Sequence, residues 1–205
     1  MNYLDLQNRA KLLASLEGWT DVSPTPDWGA LVNQAWVEFS WDGECIVGNT
    51  TFTTVANQGR YSLSGTWKKL TDVVYDSTAT KQPMHHTSED MERFARADWH
   101  VQPSGTPVRY TFSPFNSIFL VPPPSTAGIT ISVRGTTEGT ALSSNTDVPP
   151  CPDVLHEAIA LKAAILQGMV YAQGNSQARL QMFQQRYDKF VNDARTYANF
   201  ESVGN

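Results

Sequence analysis

Four histidines, two cysteines and twenty Asp and Glu side chains are the groups in this 205-residue chain that could do acid–base, nucleophilic or metal chemistry. Their spacing assembles none of it. His85 and His86 are adjacent, and adjacent residues on a strand point to opposite faces, a poor geometry for chelation. His100 and His156 stand alone, and each reads as a solvated or hydrogen-bonded imidazole rather than a metal ligand. Glu89, Asp90 and Glu92 crowd the start of a short helix, where the positive end of the dipole favours carboxylates. A paired-carboxylate hydrolase is the remote alternative there. Cys45 and Cys151 are far apart and follow no metal or redox spacing, which favours free buried thiols over a disulfide. There is no G-x-x-x-x-G-K phosphate loop, no G-x-G-x-x-G after a strand and no G-x-S-x-G elbow. The expectation is a protein with no cofactor, no metal and no catalytic residue.

The aromatic and charged residues point to binding instead. Of six tryptophans, Trp28 and Trp36 suit a core, with Trp19 beside them. Trp41, Trp67 and Trp99 fall near element ends or loops, positions open to exposure, and exposed aromatics suit a sugar or a protein interface. Net charge is −5, against a protein that grips nucleic acid through its phosphates. No Lys or Arg lies between Lys11 and Arg60, while Glu17, Asp21, Asp27, Glu38, Asp42 and Glu44 do. That interval is a solvated acidic face, or a surface that repels DNA or meets a basic partner. Hydrophobic content of 40% and charged content of 17% are ordinary for a soluble protein. No apolar run approaches the roughly 20 residues that span a bilayer, and Met1-Asn2-Tyr3-Leu4-Asp5 does not open like a signal peptide. Synthesis and folding in a cytoplasm are expected.

The elements that must carry these residues begin with an amphipathic helix from Leu4 to Glu17, with Leu6, Ala10 and Leu13, and by extension Leu16 and Trp19, inward and Gly18 as its stop. Asp27 caps a second helix bearing Trp28, Leu31, Val32, Ala35, Trp36 and Phe39, to about Trp41, with Asp42-Gly43 as its first break. The period then changes to 2. Phe52 to Ala56 and Arg60 to Ser64 read as strands around a turn at Asn57-Gln58-Gly59. Leu70 to Asp76 is a third strand. Thr87 or Ser88 caps a short helix to Ala97 with Met91, Phe94 and Ala95 inward. Val108, Tyr110 and Phe112 alternate with wet Arg109 and Thr111, Ile118 to Val121 follows as a hairpin partner, and Ile129, Ile131 and Val133 form the last strand. Pro149, Pro150 and Pro152 close this region. A helix from there to Tyr171 is apolar over so wide an arc, from Val154 to Met169, that it must be buried. Beyond Gly174, a second helix capped by Asn175 or Ser176 places Leu180, Phe183, Tyr187, Phe190, Ala194 and Tyr197 on a heptad seam. The fold class is α+β: residues 1–49 and a helical hairpin at 149–199 form one helical domain, 50–148 an inserted small antiparallel β-subdomain with one short helix, and 200–205 an extended tail.

The layout resembles the head-to-tail adaptor (connector) proteins of tailed bacteriophages. Trp36, Gly59-Arg60-Tyr61-Ser62-Leu63, Trp67-Lys68-Lys69-Leu70-Thr71-Asp72-Val73-Val74-Tyr75, Gly105-Thr106-Pro107-Val108-Arg109-Tyr110, Ile118-Phe119-Leu120-Val121-Pro122 and Val154-Leu155-His156-Glu157-Ala158 carry the resemblance, as an ordered set. The stretch up to Pro26 matches least. The resemblance implies a structural protein of the virion neck, neither enzyme nor membrane protein, in a ring of about a dozen copies. Its partners would be the portal, a tail or tail-terminator (nozzle) protein, and double-stranded DNA that passes through without sequence-specific binding. Glu38, Asp42 and Glu44 are then candidates for an acidic channel wall, since phosphates find there no counter-charges to replace their ions. Tyr197, Phe200 and Val203 are candidate anchors to the portal or a neighbouring copy, and Trp67 and Trp99 candidate contacts on the β-subdomain. A carbohydrate- or receptor-binding module of a virion or cell surface is the alternative; it would use the same tryptophans but gives the C-terminal seam no role.

Overall fold

A computed structural model describes residues 1–16, 18–20, 25–77, 81–95, 102–113, 116–171 and 176–203, with backbone alone at residue 94 and from 198 to 203. The fold is mixed α+β, with five helices and two small sheets among these residues. Two compact units divide it: Met1–Ile46 with Glu138–Asn205, and Val47–Thr137.

The first unit is helical. Helix α1 (Tyr3–Ser15) starts in a capping box: Asn2 Oδ1 accepts from the Asp5 amide and Asp5 accepts from the Asn2 amide. Its apolar stripe buries Leu6, Ala10 and Leu13 as its spacing requires, with Trp19 buried after the turn at Gly18. The expectation for Leu16 was wrong; the helix has already ended, and Leu16 is exposed. Helix α2 (Trp28–Gly43) is capped by Asp27, whose carboxylate accepts from the Ala30 amide, and is ended by Glu44 in the left-handed conformation. Helix α4 (His156–Tyr171), preceded by a 3-10 turn at Asp153–Leu155 and numbered after α3 (Glu89–Ala95) of the second unit, packs against α1, α2 and α5 (Ser176–Val203). Small residues let its neighbours come close: a Cβ on Gly168 would stand 2.6 Å from the Trp19 ring. By length and composition Asp153–Tyr171 is 19 residues apolar enough to cross a bilayer, contrary to the reading of the bare sequence, but 67% of that window is buried against the other helices. Its two ends depart from the expected burial. Val154 and Met169 are exposed, because the packed length stops short of them. Residues 139–142 return along α2, held at helical spacing by Asn33, Trp36 and Ser40. Leu142 donates to Asn33 at 2.7 Å, Trp36 Nε1 donates to the Thr140 carbonyl at 2.9 Å, and Gly139 donates to Ser40 at 2.8 Å.

The second unit is built of β1 (Val47–Thr53), β2 (Arg60–Ser62), β3 (Trp67–Asp76), β4 (Lys81–Pro83), β5 (His85–His86), β6 (Arg109–Ser113), β7 (Ser117–Val121) and β8 (Thr130–Thr137), besides α3. They form one sheet ordered β1-β8-β3-β4 and another ordered β2-β7-β6-β5. Tyr61, Trp67, Val73, Tyr75, Ile118, Leu120, Ile131 and Val133 belong to its core. Four expectations are corrected. The runs on either side of Asn57-Gln58-Gly59 are not a hairpin: β1 pairs with β8 and β2 with β7, so the chain changes sheets there, and Phe52 and Tyr61 stack at 4.6 Å. Pairing is not wholly antiparallel, because β5 runs parallel to β6. On α3, capped by Ser88, Met91 is 68% exposed and Ala95 also faces out, while Glu92 is buried. A carboxylate can occupy that inner position because Arg109 Nε meets it at 3.2 Å. Around β6 the expected alternation also fails: Thr111 is buried beside Tyr110 with its hydroxyl unpartnered among the described residues, and Val108, just before the strand, is exposed.

Candidate functional site

Of the residues singled out by type and spacing, Asp42 lines a polar cleft of the helical unit where α2, α4 and α5 meet, and Glu38 pairs with Lys162 beside it. Helix α2 presents Glu38 and Asp42 one turn apart. Lys162 on α4 lies between the helices with its ammonium 2.8 Å from Glu38 Oε2 and 4.9 Å from the centre of the Tyr187 ring. Gln34 donates to the other Glu38 oxygen at 2.9 Å. Tyr187 donates to Asp42 at 3.3 Å, and Arg195 Nε donates to the Asp42 carbonyl at 2.8 Å. The cleft holds about 350 Å³ and is also lined by Gln184, Asp188 and Asn192. Burial alone would raise the Glu38 carboxyl, but hydrogen bonds from Lys162 and Gln34 and the Lys162 charge outweigh it and hold the group below its ordinary value. Burial first, then Asp42, pushes the Tyr187 phenol well up, so it stays a hydrogen-bond donor. This is an internally compensated network. Glu38 and Asp42 are tied to cations and donors of their own chain; Glu44 stands apart from them, half-buried at the α2 C-cap.

The other candidates do not converge. Trp67 is 5% exposed, with its indole N–H donating to the Ser64 carbonyl at 2.7 Å, so it has no face to offer a sugar or a partner. It opens β3 inside the β core, which its place near the end of a run concealed. Trp99 and His100 lie outside the described residues. Tyr197 is 48% exposed, although it continues the seam on which Tyr187 and Ala194 are buried. The side chains of Phe200 and Val203 lie outside the description, but the backbone there is helical: α5 runs on to Val203, so the expected extended tail from residue 200 is corrected to helix.

His85 and His86 are both exposed on β5, the latter edge-on to Tyr110. Among the described residues no group of three or more His, Cys, Asp or Glu side chains is arranged to hold a metal ion. His156 is fully buried. Its Nε2 lies 3.1 Å from the Cys151 carbonyl and 3.3 Å from that of Pro149, both acceptors, and its Nδ1 is 2.7 Å from the Met1 amino nitrogen. That pattern fits the neutral ring protonated on Nε2, and burial, first among the causes, lowers the pKa accordingly. Arg9 clamps Glu157 bidentately at 2.7 and 2.9 Å, tying α1 to α4. Sequence reasoning missed Lys162 and the pairing of Glu157 with Arg9 and of Glu92 with Arg109, since an ionic side chain on a buried face announces itself only through a partner remote in sequence.

The arrangement suits holding helices together. The family model described as SU10 adaptor protein matches residues 1–203. No curated protein matches the chain. With the match running over nearly its whole length, the chain belongs to the SU10 adaptor protein family, a family of bacteriophage adaptors.

Proposed function

We propose that this protein is a head-to-tail adaptor of the virion neck, made in the host cytoplasm and assembled as a ring of about a dozen copies between portal and tail. The observation that carries the reading is the adaptor family match over residues 1–203. DNA passes through the ring without sequence-specific contacts, and a tail or nozzle protein meets the other rim. Imaging of the purified chain by negative stain, alone and mixed with portal from the same particle, tests it. Rings, free or on the portal, are expected; monomers in both samples would overturn the proposal.

Two finer assignments belong to the same reading. Glu38, Asp42 and Glu44 face the channel as an acidic wall, with the Glu38 charge partly offset by Lys162. Inverting Glu38 also breaks its pair with Lys162, and inverting Asp42 the bond from Tyr187, so Glu38→Lys, Asp42→Lys and Glu44→Lys are each read after circular dichroism has shown an intact fold. Each should assemble and slow DNA ejection, and unchanged ejection kinetics would sink the assignment. The end of α5 docks on the portal or a neighbouring copy through Tyr197, Phe200 and Val203, with Trp99 as a further contact from the other unit. Deleting residues after Asn199 should abolish docking and leave helix content otherwise intact; a truncated chain that docks normally would refute it.

A further inference from the structure

The two sheets end in four edge strands, and one of them is unlike the others. β2 and β4 have three residues each and β5 has two, too short to template another strand, whereas β1 has seven. β4 is further blunted by Lys81 and Pro83. The Met84 amide donates to the Val73 carbonyl, so at two-residue spacing Gln82 faces β3 and Pro83 faces the open side, where it has no N–H to offer. β1 has none of these devices: Val-Gly-Asn-Thr-Thr-Phe-Thr holds no charge and no proline. Its inner side belongs to β8. The Thr54 amide donates to the Ile129 carbonyl at 2.8 Å, and the register continues unbroken from Thr53 opposite Thr130 to Val47 opposite Thr136. By the antiparallel alternation Phe52, Thr50 and Gly48 bond to β8, while Thr53, Thr51, Asn49 and Val47 aim their amides and carbonyls at the open side. Among the described residues no hydrogen bond reaches those outward groups, and the four side chains are exposed.

We propose that β1 is where two copies of the free chain pair, edge to edge and antiparallel, joining two four-stranded sheets into one of eight strands. Length and charge select a second β1 as the occupant. The other edges of a second copy offer two or three residues and would bring Arg60, Lys81 or His85 and His86 to the strand. Two β1 strands match over all seven residues and set no like charges opposite one another. Centred on Thr50, the pairing places Asn49 opposite the partner's Thr51 and Val47 opposite the partner's Thr53, all of them residues whose amides and carbonyls face the open side. The joined sheet ends in β4 on both sides, and Lys81 and Pro83 stop its growth, so the product is a dimer and not a fibre. A single strand pair buries less than the roughly 1,200 Å² of a stable interface, which makes the dimer weak and reversible. A two-fold contact closes on itself, so this one belongs to the free chain and not to the repeat of the ring proposed above.

Sedimentation of the full chain over a range of concentration, with amide hydrogen exchange resolved by NMR, tests this. Between about 10 μM and 1 mM the mass should rise from one chain towards two. Over the same range the amides of Val47, Asn49, Thr51 and Thr53 should gain protection, while those of Gly48, Thr50 and Phe52 stay protected throughout. Thr51→Pro removes one outward amide and no bond to β8, and should weaken dimerisation at least about ten-fold. Thr51→Lys keeps the amide, adds a charge to an exposed position and should weaken it to a similar extent, which preserves the test if the proline variant fails to fold. A mass of one chain at every concentration, with the outward amides unprotected, would leave the edge to a strand of another protein and overturn the proposal. So would a dimer that Thr51→Lys leaves unchanged, or growth beyond two chains.

Discussion

The helical unit and the β unit each bury a core of their own, and they do so with different kinds of bond. In the helical unit the helices close their own backbone hydrogen bonds, apart from the Tyr3 and Leu4 amides that donate to Asp147 and Asn145, and the long-range part is chiefly side-chain packing of α1, α2 and α5 on α4. In the β unit the backbone bonds themselves are long-range, since β1 and β3 both pair with β8 and β2 pairs with β7. A helix therefore exists before its partner is known, whereas a strand is defined by its partner. The helical unit should tolerate small rearrangements at a helix surface and fail where an aromatic anchor goes. The β unit should be sensitive wherever a buried polar group depends on one distant residue.

Trp36→Ala should break the helical side hardest. Trp36 is fully buried and its indole holds the returning segment through Thr140. The loss expected is about 3–5 kcal/mol, from urea unfolding followed by far-ultraviolet circular dichroism. A loss below about 1 kcal/mol would mean that the packing around α2 can collapse into the space, and the contrast with the β unit would fall.

Arg109→Ala is the matching blow to the β unit. It leaves Glu92, with a side chain only 4% exposed, without its guanidinium. Because Arg109 itself is 44% exposed, the cost should be about 2–3 kcal/mol, below that of breaking a fully buried pair. Arg109→Ala combined with Glu92→Gln should recover part of that loss, since the stranded charge is then removed. No recovery would show that the guanidinium contributes through packing alone.

The same contrast explains what was legible in the sequence. Asp27 and Ser88 stand where side-chain acceptors cap two of the helices, and a stripe such as Leu6, Ala10 and Leu13 names a buried face without naming what covers it. Of the run Phe52–Ala56 only Phe52 and Thr53 belong to β1, which begins at Val47, and nothing within it distinguishes Arg60–Ser64 from Thr130–Thr137 as its partner; the turn at Asn57-Gln58-Gly59 favoured the wrong one. Buried ions were invisible for the same reason. Glu92 reads as an N-terminal carboxylate of a short helix until Arg109, seventeen positions on, is brought beside it. In the polar cleft the acids Glu38 and Asp42 stood out by their charge, but of the two residues that decide their electrostatics Tyr187 was only a position on a seam and Lys162 carried no signal at all.

A smaller effect distinguishes the helical unit by pH. His156 is lowered from its ordinary value of 6.5 chiefly by burial and secondarily by the positive charge at Met1, while Asp153 and the carbonyls of Pro149 and Cys151 act the other way. The folded chain therefore holds fewer protons at this site than the unfolded chain does. Its contribution to stability is fully present above about 6.5 and is lost as pH falls through the folded value. Between about pH 7 and pH 5 the unfolding midpoint of the helical unit should drop, and His156→Gln should flatten that drop while lowering stability at neutral pH. Equal slopes in the two proteins would remove His156 as the cause.

The smallest expected effect on stability is at Tyr197. Its seam neighbours Tyr187 and Ala194 are buried, so local packing does not account for a tyrosine three residues beyond Ala194 that stands about half exposed. Tyr197→Ser should change folding stability by less than about 0.5 kcal/mol, the usual range for a surface substitution, whereas Tyr187→Ser should cost several times more. If the end of α5 is a docking surface, the same Tyr197→Ser variant should lose portal binding in co-sedimentation while its unfolding curve stays in place. Loss of both together would assign Tyr197 to the helical core, and loss of neither would leave the anchor to Phe200 and Val203, one turn and two turns further along the helix.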